Sequence, residues 1–239
     1  MPKTTQDRLD NALAIAKREG KELHVSSYEI TYDPIINKKN KLPRHVQDEI
    51  NDLFELIHDH PQQAIPRLLK LKAAYPKIPI IYNYLLAAYS RLGDQKASRE
   101  LALENYRNNP EYLFAKINYA QFCLYDGEIE KIPEIFEQKY DLKMLYPKRT
   151  KFHVTEFAGF TGVICAYFCL VGHRETAKLL HDSLLEIAPD SDMALFAKGF
   201  VYPSLKNKIR FWATRQSRKI EAANAKEEKT PPADSDFMA

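Results

Sequence analysis

The 239-residue chain has little glycine and cysteine and almost no excess of charge of either sign. Seven glycines argue against folds that need many tight β-turns or glycine-rich phosphate loops. Three cysteines are too few for a disulfide scaffold, so we expect a reducing, cytoplasmic environment. The 35 basic and 32 acidic residues leave a net charge of only +3, which does not by itself indicate a nucleic-acid partner.

Signals for targeting and membrane insertion are also scarce. Residues 1–20 lack the continuous apolar core of a secretory signal. The longest apolar stretch, residues 157–172, is too short at about 1.5 Å per residue to cross a hydrocarbon layer about 30 Å thick. It therefore predicts a buried helix.

Catalytic motifs are absent from the sequence. It contains no P-loop, dinucleotide-binding glycine pattern, G-x-S-x-G elbow or H-E-x-x-H pair. The run His58-Asp59-His60 could supply metal ligands, but Pro61 favours a turn between helices. Cys165 and Cys169 could bind a metal with a nearby histidine, or could be small buried side chains of a packed helix. We expect a non-enzyme without metal or cofactor, and no spacing supports a nucleophilic pair of Cys123 and His181.

A repeat of 34 residues organises the middle of the chain. Gly93 and Gly127 are 34 residues apart, as are Pro76 and Pro110. Gly172 follows Gly127 by 45 residues, which is one period with an insertion of eleven. A fixed period of this length is typical of repeat architectures.

Each period has the pattern of two helices joined by a turn. Tyr82, Leu85 and Tyr89 fall on one face of a helix. Gly93 then supplies a left-handed stop, and Asp94 can cap the next helix. The pattern predicts an all-α fold of recurring helical hairpins.

This pattern resembles the tetratricopeptide repeat family over residues 46–191, as units 46–78, 79–112, 113–157 (with the insertion) and 158–191. The family's inter-helix glycine, second-helix small residue and closing proline fall on Gly93, Gly127 and Gly172, on Ala64, Ser98 and Ala177, and on Pro76, Pro110 and Pro189. The resemblance implies a TPR-like α-solenoid. Residues 1–45 would form an N-terminal helix and an extended segment, residues 192–225 capping helices, and residues 226–239 a disordered tail.

Three local features add to this plan. Pro66 and Pro133 stand early in second helices, where proline is tolerated only in the first turn. The second helix of the third unit is expected to include Ile132 and Phe136. Residues 22–36 are β-branched and aromatic, and are expected to be extended.

The resemblance also implies a partner site, because first helices line the concave face of such arrays. The family's inward positions give a groove for an extended or helical peptide, lined by Asn83, Tyr84, Arg91, Phe114, Ile117, Asn118, Gln121 and Tyr125. Alternatively, the aromatic members pack within the core. In the fourth unit the inward positions are Gly159, Gly162, Val163 and Ala166. We expect the helix carrying Ile209, Phe211 and Trp212 to cover these small residues.

The implied function is a non-enzymatic, chaperone-like adaptor that binds a protein or peptide. A basic patch in the penultimate helix offers a different function, contact with a membrane surface or, less favoured, nucleic acid, and comprises Lys206, Lys208, Arg210, Arg215, Arg218 and Lys219. The competing interpretation is a capping helix that docks through Leu205, Ile209 and Trp212.

Overall fold

A computed structural model describes residues 28–33 and 43–205, together with residues 207, 209, 213, 216 and 217. This part of the chain is mostly helical, as predicted. The helices are α1 Arg44–Asp59, α2 Pro61–Ala74, α3 Pro79–Arg91, α4 Gln95–Asn108, α5 Leu113–Asp126, α6 Lys131–Ile135, α7 Leu142–Leu145, α8 Val154–Val171, α9 Arg174–Ile187 and α10 Asp192–Val201. The strands are β1 Glu29–Thr31 and β2 Lys151–His153.

The long helices pack mainly against their neighbours in the chain. α1 packs on α2, α3 on α4, and α8 on α9, each forming an antiparallel hairpin, while α1, α3, α5 and α8 also pack side by side. Two apolar clusters fill the interior, one from Val46 to Leu101 and the other from Leu113 to Phe200. The small residues predicted for the second helices are fully buried: Ala64, Ser98 and Ala177 are each 0% exposed. Adjacent helices therefore approach closely at these positions.

Three of the turns between helices have the same backbone hydrogen bonds. Gly93, Gly127 and Gly172 have positive φ angles of 73°, 75° and 97°, as predicted for left-handed stops. In each turn the following residue donates to a carbonyl five residues earlier, for example Asp94 N to Tyr89 O at 3.0 Å. This is the Schellman arrangement, which satisfies the last carbonyls of the first helix. The Asp94 carboxylate then accepts a bond from the Ala97 amide and caps α4, also as predicted.

The second helices of the first and third units, α2 and α6, differ from the predicted ones. α2 already begins at Pro61, so Pro66 lies beyond the first turn, inside the helix. α6 has only five residues and ends before Phe136, whereas a longer second helix was predicted. Glu137 and Gln138 have φ angles of 55° and 57° and stop α6 with the same hydrogen-bond pattern as the glycine turns. No glycine signals this stop in the sequence.

The insertion after α6 carries β2, which pairs in parallel with β1. Residues 29–31, which lie within the stretch 22–36, are therefore extended as predicted. Tyr28 packs edge-on against Phe152, with ring centroids 5.1 Å apart. The Tyr32 hydroxyl donates to the Ile187 carbonyl at 2.9 Å, at the end of α9. The N-terminal segment therefore ties the insertion to the fourth hairpin.

α8 is the central helix of the second cluster. Its 18 residues are long and apolar enough to cross a membrane by length and composition, yet 61% of them are buried against other parts of this chain. A capping box formed by His153 and Glu156 starts the helix, and Gly172 ends it. Its place among α5, α9 and α10 agrees with the predicted buried helix.

Candidate peptide-binding face

Equivalent positions on α1, α3 and α5 form one surface, which we call the three-helix face. On each helix its residues are spaced i, i+4, i+7 and i+11, which places them on one side. The twelve residues are Gln47, Asn51, Phe54 and His58 on α1, Ile80, Tyr84, Ala87 and Arg91 on α3, and Phe114, Asn118, Gln121 and Tyr125 on α5. The α1 members were missed in the sequence, although the same spacing applied to the first unit would have found them.

The α1–α3 part of this face combines exposed aromatic and cationic groups. Phe54 is 46% exposed, and its ring lies 5.7 Å from that of half-buried Tyr84 and 5.3 Å from that of His58. Arg91 Nη2 donates to His58 Nδ1 at 2.6 Å. Partial burial raises the pKa of the Tyr84 hydroxyl, which therefore stays neutral and able to donate a hydrogen bond.

Amide side chains link α3 to α5 beside this region. Asn83 Nδ2 donates to the Tyr112 hydroxyl at 2.9 Å, and Asn118 Nδ2 donates to Asn83 Oδ1 at 3.3 Å. Burial raises the pKa of Tyr112 to about 12, with the bond from Asn83 opposing that rise. Each amide thus uses one N–H group to hold the two helices together and keeps its second N–H.

The prediction that Ile117 lines a groove is wrong. Its side chain is only 2% exposed and lies against Gly159 of α8, where an added Cβ would come within 2.9 Å of Ile117 Cδ1. Phe114 is half-buried and packs beside Tyr112, with ring centroids 5.7 Å apart. The close approach of α8, which its glycine permits, turns the Ile117 position from surface into core.

Helix α10 covers the far end of the predicted groove. Gln121 Nε2 donates to Met193 Sδ at 3.2 Å. The Tyr125 ring contacts those of Phe196 and Phe200, at centroid distances of 5.5 and 6.5 Å, although Tyr125 remains 45% exposed. These contacts leave the α1–α3 part as the more accessible portion of the three-helix face.

The small residues of the fourth unit are covered by described parts of the chain, α5 and α10. Gly159, Gly162, Val163 and Ala166 are all buried. Met193 of α10 sits on Gly162, with its Cε 2.7 Å from the position of an added Cβ. Phe211 and Trp212, which were predicted to cover these residues, lie outside the described residues.

The basic patch, from Lys206 to Lys219, also lies outside the described residues. Around it, residues 205, 207, 209, 213, 216 and 217 are helical. Leu205 is 74% exposed and Ile209 59% exposed, so the prediction that these two residues dock on the array is wrong. Two basic residues of the insertion pair with acidic residues of this chain. Arg149 pairs with Glu156 at 2.7 Å, and Lys151 with Glu29 at 2.8 Å.

Cys123 and Cys165 are buried, and residues 58–60 lie where α1 ends and α2 begins. Burial raises the pKa of the Cys123 thiol to about 12, so it is not a ready nucleophile. Cys165 Sγ donates to the Ala177 carbonyl at 3.1 Å. His60 separates α1 from α2, as predicted for a turn. Within the described ranges, no group of three or more histidine, cysteine or acidic residues is placed to hold a metal ion.

Comparison with known proteins adds no further assignment, since no protein-family model, no curated protein and no solved structure matches this chain.

Proposed function

We propose that the chain is a TPR-like α-solenoid that acts as a peptide-binding adaptor through the three-helix face. Support for the solenoid comes from the repeated plan of the hairpins. The glycine turns share one hydrogen-bond pattern, and Ala64, Ser98 and Ala177 are buried at equivalent positions. First helices packed side by side are the arrangement in which solenoids present a continuous binding surface.

The observation that carries the functional proposal is the exposed Phe54, packed edge-on against His58 and beside Tyr84. An exposed aromatic ring fixed by its neighbours is a typical anchor point of an interface. Arg91 and the remaining N–H groups of Asn83 and Asn118 can donate to a partner's carbonyl or carboxylate oxygens. The surface therefore suits a peptide segment with a bulky apolar side chain and free backbone acceptors.

A phage-displayed random peptide library selects ligands for the purified chain, and fluorescence anisotropy then measures their affinity. We expect the double variant Phe54→Ala/Tyr84→Ala to bind selected peptides at least about tenfold more weakly, because truncation of aromatic anchors costs more than about 1 kcal/mol each. The matched control is Leu69→Ala on α2, a leucine that is 40% exposed away from the face.

A second control separates this site from the basic patch. Charge reversal at Arg215 and Arg218 should leave peptide affinity unchanged. If the reversal abolishes binding while the Phe54→Ala/Tyr84→Ala variant still binds, the basic helix is the recognition element and the three-helix face is not.

A further inference from the structure

A row of carboxylates borders the three-helix face along α1. Each member follows a residue of the face by one position, as Glu55 follows Phe54, so the row lies about 100° further around the helix. The row runs about 16 Å along the helix axis. Its four members, which we call the acidic row, are all exposed and comprise Asp48, Asp52, Glu55 and Asp59.

The other sides of α1 are occupied by the rest of the array. One side is buried in the first apolar cluster through Val46, Ile50, Leu53 and Ile57. On another side Glu49 pairs with Arg67 of α2, with Arg67 Nε 3.5 Å from Glu49 Oε1. No described residue forms an ion pair with a member of the acidic row. The charge of the row therefore acts on whatever binds the adjacent face.

This negative charge is a local feature of α1. The helix carries five carboxylates and one arginine, so its net charge is 1 − 5 = −4 with neutral histidines. The chain as a whole has a net charge of +3. The cation of the α1–α3 part of the face is Arg91, which contacts His58 near the end of α1, ten residues after Asp48. A cationic partner group would therefore meet the first three members of the acidic row rather than Arg91.

We propose that the peptide segment held on the three-helix face is cationic, with lysine or arginine side chains flanking a bulky apolar anchor. The inference rests on the proposed function, since it names the charge of the peptide that Phe54 and Tyr84 bind. Carboxylates one turn apart on α1 are about 6 Å apart along the axis, which matches the spacing of alternate side chains in an extended peptide, about 6.6 Å. With the anchor against Phe54, neighbouring cations reach the acidic row.

Charge complementarity selects this partner over other classes. The unpaired carboxylates would repel nucleic acid, an anionic lipid surface and an acidic peptide. An uncharged apolar segment would use the aromatic rings and leave the acidic row without a counter-charge. A segment with an apolar anchor and flanking cations uses both features of this surface.

The test compares two synthetic peptide pools of equal length, each with one central phenylalanine or leucine. The flanking positions are lysine and arginine in the basic pool and glutamate and aspartate in the acidic pool. Fluorescence anisotropy with the full chain at low salt should show at least about tenfold tighter binding of the basic pool, the effect of about three exposed ion pairs. About 1 M salt should reduce this difference, since the screening length falls to about 3 Å.

Neutral variants locate the effect. The double variant Asp52→Asn/Glu55→Gln removes the two carboxylates closest in sequence to Phe54 and should bind the basic pool about fivefold more weakly. The matched control, Asp182→Asn/Glu100→Gln, makes the same change in net charge at exposed carboxylates of the second helices α9 and α4. It should bind the basic pool like the unmodified chain.

Equal affinity for the two pools, or an equal loss in the control variant, would overturn the proposal. If the pools bind alike but both are lost in Phe54→Ala/Tyr84→Ala, the face binds peptides without selecting their charge, and the proposed function stands alone. If the basic pool binds Phe54→Ala/Tyr84→Ala as tightly as the unmodified chain, the acidic row acts without the aromatic anchor, and the proposed function fails together with this inference.

Discussion

The contact between α8 and α10 can be tested at Gly162, where the structure leaves almost no room for a side chain. A Cβ at this position would lie 2.7 Å from Met193 Cε, 3.1 Å from Met193 Cβ and 3.2 Å from the Met193 carbonyl oxygen. The methyl end of Met193 can rotate away, but its Cβ and carbonyl move only with α10. Gly162→Ala should therefore displace the helix slightly.

Two opposing terms set the size of this effect. Overpacking a tight interface costs about 1–3 kcal/mol, whereas alanine in place of helical glycine gains about 1 kcal/mol. We expect net destabilisation by about 1 kcal/mol, which lowers the Tm by about 2–4 °C for a chain of this size.

Gly199 on α10 provides the matched control. The nearest atom to a Cβ there is Asn207 Nδ2, at an ordinary contact distance of 3.8 Å. Gly199→Ala should therefore increase the free energy of unfolding by the helix-propensity gain of about 0.5–1 kcal/mol, and so raise the Tm. Thermal unfolding followed by circular dichroism measures both variants, and Met193→Ala should reduce the cost of Gly162→Ala in a double-mutant cycle. If Gly162→Ala stabilises the protein as much as Gly199→Ala, α10 does not pack on α8 as described.

Three further changes test buried polar groups and turns, and a titration tests the tyrosines. Lys116→Met should destabilise by about 1–3 kcal/mol in urea unfolding, because Lys116 is 4% exposed and donates to the Ile135 carbonyl at 2.9 Å. His181→Leu should leave the Tm unchanged or raise it, since both ring nitrogens are buried without a hydrogen-bond partner among the described residues; a clear fall in Tm would point to a partner elsewhere. Gly93→Val should cost about 1–2 kcal/mol and Gly93→Asn less, because a Cβ at Gly93 meets no atom within 4 Å and the cost is conformational; equal Tm values would contradict this. Burial raises the pKa of Tyr112 to about 12, above the unfolded value near 10, so its contribution to stability is full below pH 10 and is lost as the pH rises towards 12. Absorbance at alkaline pH should show tyrosine ionisation delayed in the folded chain and released together with unfolding.

Local signals in the sequence correctly predicted the helix boundaries that depend only on backbone conformation. A glycine accepts a positive φ angle without steric cost, so Gly93, Gly127 and Gly172 mark their turns wherever the rest of the chain lies. The cap of α4 by Asp94 is also a local feature, because its carboxylate acceptor and the Ala97 amide donor are only three residues apart. The all-α class follows from such signals together with the helical spacing of apolar residues.

Whether a helix face is surface or core depended on residues far away in the chain. Ile117 has the spacing of a groove residue, but Gly159 brings α8 against it. The stop of α6 at Glu137 has no glycine, and Lys116 from α5 contacts both the Ile135 carbonyl and the Glu137 carboxylate. These contacts join residues at least 19 positions apart, so no local pattern reports them.

The candidate site likewise combines residues that were predicted from the sequence with an accessibility that only tertiary contacts decide. Tyr84, Arg91 and Asn118 were predicted because the resemblance to the tetratricopeptide repeat family assigns them to inward positions of the first helices. Tertiary structure decided which part of the face remains accessible, since α10 packs over Gln121 and Tyr125 while Phe54 stays exposed. The physical reason is side-chain size. Small residues on α8 let α10 come close enough to reach α5, and the space between two helices is set by both surfaces together.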